Sequence, residues 1–293
     1  MNDSVAVGLV GAGPWAEKVH APALAAGPGT RLAGVWARRP EASAGLAARH
    51  GAPSFDRVEE LFDACEAVAF SVPPDVQADL AARAARAGKA VLLEKPLAMD
   101  LAGARRLADA VAEAGVASRM VFTLRYSRAA RAFLERVRDL DPFGGYASFV
   151  TSTLHGGTFA TPWRLERGAL LDLGPHMVDL LDAALGPVTG VHAHGDPLAW
   201  LALTLEHENG AVSQASVSMA GADDPPPAHV EVYGRTGHAR LDWSDVGDDA
   251  FATLVAEFAA AVRGAPDPGP GLDAAHGLRV QELLASAEAQ LTA

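Results

Sequence analysis

Apolar and polar positions follow two different rhythms along this chain. Up to Leu124, short unbroken apolar runs alternate with longer Ala-rich stretches of helical character. Val5–Val10, Arg31–Trp36, Ala67–Val72, Ala90–Glu94 and a run from about Val116 to Leu124 predict strands. Pro14–Ala26, Pro40–His50, Val58–Ala64, Asp75–Ala87 and Leu101–Ala114 predict helices. Strands without polar alternation are buried on both faces, and their alternation with helices predicts a parallel, doubly wound α/β sheet. Beyond a helix near Ala129–Asp139 the rhythm changes to period two. Leu201, Leu203 and Leu205 point one way, and Trp200, Ala202, Thr204 and Glu206 the other. After a Glu208-Asn209-Gly210 turn, a second alternating strand follows, with more near Ala228–Tyr233 and His238–Asp242. This pattern predicts an open, mainly antiparallel sheet with one core face, and hence an α+β domain. Trp200 with Val217 or Met219 is expected on the other face, which would then fit an interface better than open water. A helix is expected over Phe251–Arg263, a Pro/Gly linker over Ala265–Gly271 and a closing helix over Ala274–Leu291.

Length agrees with two domains: 293 residues at roughly 100–200 per domain, divided as 1–122 and 123–293. With 49% hydrophobic and 20% charged residues the chain is of ordinary globular type, and collagen-like or disordered classes drop out. A formal net charge of −12 opposes general nucleic-acid binding. A lone cysteine, Cys65, excludes an intrachain disulfide or a cysteine-rich zinc site. The opening residues Met1-Asn2-Asp3-Ser4 do not read as a signal peptide, and no apolar run reaches the roughly 18 residues of a membrane span. A cytoplasmic protein with no membrane partner is the expectation.

The first strand runs into Gly11-Ala12-Gly13-Pro14-Trp15-Ala16, a G-x-G-x-x-A pattern with a strand before and a helix after. Such a turn lets backbone amides and a helix N-terminus hold a pyrophosphate, and Ala16 allows close helix–strand packing. In the strand–turn–helix context, dinucleotide binding is favoured over a plain structural turn. An acidic residue about 20 residues further on would hold the ribose 2′-hydroxyl of NAD. Here stand Ala37, Arg38 and Arg39 instead. Two guanidinium groups match a 2′-phosphate, so NADP is the expected cofactor and NAD the second choice. The plainer alternative is a solvated Arg pair in a chain with 21 Arg and 3 Lys.

Glu94-Lys95-Pro96 closes the fourth strand, and ligands of open parallel sheets bind outside the carboxyl ends of the strands. Lys95 is one of the three lysines, and a compact ammonium can hydrogen-bond a substrate oxygen or give up a proton where Arg cannot. Pro96 keeps Lys95 out of the helical region. Asp172 and His176, four apart, would share one face if their segment is helical, and a neighbouring carboxylate raises the basicity of an imidazole. A surface or capping pair is the commoner meaning of that spacing.

The chain resembles the Gfo/Idh/MocA family, named for glucose–fructose oxidoreductase, inositol dehydrogenase and rhizopine catabolism. The resemblance spans nearly the whole chain. It is carried by the glycine turn with Trp15 and His20-Ala21-Pro22-Ala23-Leu24, by Ser71-Val72-Pro73-Pro74, and by Ala87–Ala98 with its Glu-Lys-Pro. Arg125-Tyr126, Trp163-Arg164 and Gly168–Asp179 extend it. It implies a Rossmann domain followed by an α+β domain that assembles into a homodimer or homotetramer. It further implies hydride transfer between NADP(H) and a carbinol or carbonyl carbon of a sugar, sugar derivative or cyclitol, a small-molecule substrate. Lys95, Asp172 and His176 match the family's catalytic group, and no metal is needed. The cofactor would lie against Gly11, Ala12, Gly13, Pro14 and Trp15, against Ala37, Arg38 and Arg39, against Ser71, Val72 and Pro73, and against Glu94 and Lys95. Trp163 and Arg164 match a segment that touches cofactor in some members. His155 and Arg125 are pocket candidates on equal terms with core or surface roles.

Two departures stand out. Many members carry a glycine run where this chain has Glu166-Arg167 before a single Gly168, and a histidine where it has Gln77. Alternatives within the family are a reductase of a non-sugar such as an imine or tetrapyrrole-like compound, and a non-catalytic dinucleotide sensor.

Overall fold

The computed structural model describes residues 4–27, 29–247, 249–266 and 271–291. The first three residues and the middle of the expected Ala265–Gly271 linker lie outside them. The chain divides into two compact units, Met1–Val121 with Phe251–Arg279, and Phe122–Ala250 with Val280–Ala293.

In the first unit, β1 (Val5–Val10), β2 (Thr30–Trp36), β3 (Ala67–Phe70), β4 (Ala90–Leu93) and β5 (Ser118–Met120) form a parallel sheet in the order β2-β1-β3-β4-β5. β1, β3 and β4 are buried along their whole length, as their unbroken apolar runs require. A π-helical turn over Ala16–His20 leads into α1 (Ala21–Ala26). Then come α2 (Pro40–Arg49), α3 (Val58–Asp63), α4 (Pro74–Arg86) and α5 (Leu101–Ala114). The Asp100 side chain caps α5 by accepting from Gly103 N–H at 2.7 Å, and Gly115 ends it at φ 63°. Strand order reverses between β1 and β3, because the chain leaves β1 for β2 on one side and returns to β3 on the other. That reversal opens a crevice at the carboxyl ends of β1 and β3. β5 is shorter than the run Val116–Leu124 predicts, since the chain turns into a 3₁₀ segment at Thr123–Tyr126.

The sequence pattern leaves everything after residue 122 in the second domain, yet Phe251–Arg279 belongs to the first unit. Phe251, Leu254, Val255 and Phe258 are buried there, and the ring of Phe251 meets that of His20 edge-on at 4.9 Å.

The second unit holds α6 (Arg128–Arg138), α7 (Pro162–Asp172) and α8 (Gly174–Leu185). Its six-stranded sheet comprises β6 (Pro142–Val150), β7 (Val188–Gly195), β8 (Leu201–His207), β9 (Val212–Ser218), β10 (His229–Gly234) and β11 (Gly237–Asp242). The order is β11-β10-β6-β9-β8-β7, antiparallel except for the parallel pair β6 and β9. α8 packs on β6, β9 and β10. Helices α9 (Asp249–Val262) and α10 (Ala274–Leu291) complete the chain.

Val217 and Met219 are fully buried, contrary to their expected place on the outer face. The register explains it: Leu201 pairs with Val217 and Leu203 with Ala215, and paired residues share a face. The outer face instead carries a row across the strands of Arg240, Glu231, Tyr146, Gln214, Thr204 and His192. Exposed Val212 and Tyr233 flank it, and Trp200 stands half exposed just before β8.

Candidate functional site

The carboxyl ends of β1, β2 and β3 enclose a groove of about 390 Å³. The glycine turn Gly11-Ala12-Gly13, the segment Trp36-Ala37-Arg38-Arg39, and Ser71-Val72-Pro73 line it, joined by Ala42 and Val76. The strand ends are stitched together by Gly11 N–H donating to Trp36 O at 2.8 Å and Ser71 N–H donating to Val10 O at 2.9 Å. Gly11 has φ 122°, and a Cβ there would sit 2.8 Å from the carbonyl carbon of Ser71 and nearer still to its oxygen. Only glycine fits this turn. Gly13 differs: a Cβ on it meets nothing within 4 Å, so the folded protein itself does not demand glycine there. A ligand backbone passing close to Gly13 would demand it. Arg38 and Arg39 are exposed at the rim, directly before the N-terminus of α2. Ala42 and Val76 are apolar wall residues whose role comes from helix packing, which their sequence context does not mark.

Pro14, Trp15, Glu94 and Lys95 lie outside this lining, and two of them are tied together. The Glu94 carboxylate accepts from Trp15 Nε1 and faces His20 Nε2, both at 2.7 Å on the same oxygen. His20 is fully buried, and its Nδ1 has no hydrogen-bond partner. A neutral imidazole that donates Nε2–H to this carboxylate leaves Nδ1 as a bare acceptor. The carboxylate therefore anchors the end of β4 to the helix that succeeds the glycine turn. Lys95 is half-buried, and the Lys95–Pro96 peptide is cis. Gln77, buried on the first turn of α4, hydrogen-bonds the backbone on both sides of Lys95.

In the second unit, α7 breaks at Gly168, with φ 64° and ψ −154°. A Cβ there would lie 2.6 Å from the carbonyl carbon of Pro197, so this glycine is set by close backbone approach. The helix resumes, ends at Asp172, and passes through a helical Leu173 into α8, where Pro175 occupies the first turn. Asp172 and His176 thus belong to two helices joined at Leu173, not to one uninterrupted helix. Asp172 is 7% exposed, and its Oδ2 lies 3.0 Å from Arg164 Nε, an ion pair whose N–H is not aimed at the oxygen. Arg164 also stacks over the Trp163 indole at 4.4 Å and donates to Thr161 Oγ1 at 3.2 Å. Arg164 thus ties Trp163 to Asp172, an arrangement their adjacency in sequence does not reveal. His176 is partly exposed on α8. Arg125 forms a buried ion pair with Asp179 at 2.7 Å, while His155 is exposed. Among the described residues no group of three His, Cys, Asp or Glu is placed to hold a metal ion, and no helix is long and apolar enough to cross a membrane.

A groove built on a glycine turn at a strand-order reversal is how parallel sheets hold dinucleotides. Comparison with known proteins points the same way. Residues 5–122 match the model of the oxidoreductase family with an NAD-binding Rossmann fold, and residues 143–240 match the GFO/IDH/MocA C-terminal domain. The chain is 28% identical over 310 residues to dTDP-3,4-didehydro-2,6-dideoxy-alpha-D-glucose 3-reductase of Streptomyces violaceoruber, covering 91% of this chain and 87% of that one. The crystal structure of GenD2 from gentamicin A biosynthesis in complex with NAD superposes with a TM-score of 0.84 at 25% identity, covering 99% of this chain and 95% of that one. UDP-N-acetylglucosamine 3-dehydrogenase GnnA from Acidithiobacillus ferrooxidans shares the fold, with a TM-score of 0.85 at 21% identity and 98% of each chain covered. With both halves matched by the models of one family, and the glycine turn, Glu-Lys-Pro and Asp-His segments each in order, the chain belongs to the Gfo/Idh/MocA oxidoreductases.

Proposed function

We propose that this oxidoreductase transfers a hydride between NADP(H) and a carbinol or carbonyl carbon of a sugar or sugar derivative. The observation that carries the cofactor half is the groove: Gly13 leaves open space, and Arg38 and Arg39 stand at the rim where an acid would select NAD. Bidentate guanidinium groups beside the start of α2 favour a 2′-phosphate, although Glu41 in the first turn of that helix subtracts from the local positive field. The sugar half is supported by the relatives, two of which are named for reduction or oxidation at a third carbon.

The dinucleotide would be held by Gly11, Ala12, Gly13, Ser71, Val72 and Pro73, with Arg38 and Arg39 on the phosphate, and when bound it supplies the hydride acceptor or donor. Lys95, Asp172 and His176 are the catalytic residues of this reading. Lys95 donates a hydrogen bond to the reacting oxygen, stabilising the negative charge it holds once the hydroxyl proton has left in oxidation, or gains as hydride adds to the carbonyl carbon in reduction. His176 takes the hydroxyl proton in oxidation and returns it in reduction. Asp172 sets a negative charge beside that imidazole, and Arg164 pairs with the Asp172 carboxylate and holds it in place.

The test is turnover of NADPH against a panel of 3-keto sugars and their nucleotide derivatives. Lys95→Ala and His176→Ala should each lose roughly 10²–10⁴-fold in kcat, a typical cost of removing a proton-transfer or positioning group, with cofactor affinity within about threefold of wild type. Wild-type protein that binds NADPH tightly and turns over no carbonyl or alcohol would replace this reading with that of a dinucleotide sensor.

We also propose a homo-oligomer built on the outer face of the second sheet, where Tyr146, Val212 and Tyr233 are exposed. That face is more polar than its strand pattern predicts, so the association would depend on salt. Sedimentation at micromolar concentration should show at least a dimer, and a 30.3 kDa species alone would refute it.

A further inference from the structure

Gln77 is fully buried and takes no part in the proposed chemistry. Its position is one of the two where the chain departs from the family pattern. Its carboxamide makes four hydrogen bonds, all to backbone. Oε1 accepts from Glu94 N–H at 2.8 Å. Nε2 faces Glu94 O at 2.7 Å, Leu97 O at 3.1 Å and Pro96 O at 3.3 Å. An NH₂ group has two protons, so three carbonyls share them, and the closest two hold them best. These partners lie immediately before and after Lys95. The Lys95 backbone is thus enclosed in a clamp made by one side chain.

The clamp is stiff at its other end. Gln77 sits in the first turn of α4, where its own N–H donates to Pro73 O at 2.9 Å. Pro73 lines the dinucleotide groove. A single residue therefore links the lip of the groove to the backbone that presents Lys95.

We propose that Gln77 is a positioning residue that fixes the direction of the Lys95 ammonium relative to the dinucleotide groove. The proposal rests on the reading of Lys95 as catalytic. A histidine in this place could offer one donor and one acceptor, so it cannot reproduce the four contacts. An aliphatic residue of similar size offers none, so Glu94 N–H and the three carbonyls lose the bonds that Gln77 makes to them. The expected consequence is a lysine that stays at its strand end but swings away from the reacting oxygen, which lowers kcat and leaves KM for the cofactor nearly unchanged.

The deciding experiment is a cycle of four proteins: wild type, Gln77→Leu, Lys95→Ala and the double variant, read by single-turnover oxidation of NADPH with the best keto-sugar of the panel. Gln77→Leu should lose about 10–100-fold in rate with NADPH affinity within about threefold. In the Lys95→Ala background the same change should cost less than about threefold, because the residue it acts through is gone. An equal loss in both backgrounds would mean that Gln77 supports the fold and not the lysine, and wild-type rate in Gln77→Leu would overturn the proposal outright. Wild-type rate in Lys95→Ala would instead remove the catalytic reading of Lys95, a separate failure. Should Gln77→Leu not fold, Gln77→Glu keeps the shape and the acceptor for Glu94 N–H. Its buried carboxyl then faces three carbonyl oxygens, so the neutral form fits and the ionised form does not. Its rate relative to wild type should rise as pH falls, and a pH-independent ratio would count against the clamp.

Discussion

Gly11 and Gly13, two residues apart in one turn, are predicted to fail in opposite ways when given a methyl group. Gly11→Ala places a side chain at φ 122° and drives its Cβ to 2.8 Å from the Ser71 carbonyl carbon. A residue held in that region costs about 1–3 kcal/mol for the backbone alone, and the clash with a strand-end carbonyl adds to it. A total of about 3 kcal/mol corresponds to roughly 10 °C of Tm for a domain of this size. Gly13→Ala meets nothing within 4 Å. Its unfolded state loses freedom, so Tm should hold or rise by an amount worth about 0.4–1 kcal/mol. NADPH affinity should nonetheless fall at least about tenfold, because the methyl occupies the approach that a pyrophosphate needs. Differential scanning calorimetry and fluorescence titration of NADPH separate the two variants. Unchanged affinity in Gly13→Ala would refute the placing of the pyrophosphate, and unchanged Tm in Gly11→Ala would refute the steric argument for the turn.

Arg38→Ala should weaken NADPH binding roughly ten- to a hundredfold, the loss of a charge-assisted contact of about 1.5–3 kcal/mol, and leave NADH within about twofold; equal loss for both would end the NADP assignment. Burial pushes the Cys65 thiol up from its ordinary value, so its thiolate is scarcer at neutral pH than that of a free cysteine, and it becomes reactive only as pH rises. Alkylation of native protein near neutral pH should accordingly be far slower than in urea, and equal rates would show that the start of β3 opens readily.

The sheet of the first unit is legible in the sequence because both-face burial writes itself as unbroken apolar runs: Val5–Val10 and Ala90–Leu93 need no partner to be recognised. The glycine turn is legible for a similar reason, its backbone demand being local. β6 is not, although it pairs with both β9 and β10 in the second sheet. Its Pro142 and the pair Gly144-Gly145 hide any alternation, and Gly145 is there because a Cβ would lie 2.7 Å from Glu231 O. The strand pattern puts Val217 on the wrong face because β9 alone carries small residues on both sides; only its pairing with Leu201 decides. At the candidate site, residue types are visible in the sequence and their supports are not. Glu94 meets His20 across 74 positions of sequence, and Asp172 meets Arg164 across a helix break at Gly168. Neither pairing leaves a periodic trace.

The π turn at Ala16–His20 bears on how this chain aligns with its relatives. Ala21 N–H bonds Ala16 O, five residues back where an α-helix would reach four. The next residue, Pro22, has no N–H to offer Lys18 O, and its ring would strike that carbonyl in a regular α-helix. Widening the turn by one residue relieves the crowding and rotates the downstream residues by about 100° about the helix axis. His20, whose ring meets Glu94, is the last residue of that widened turn. A relative whose first helix runs as plain α must therefore be aligned with a one-residue gap between Ala16 and Ala21, and an alignment without it would pair His20 with a residue on a different side of the helix.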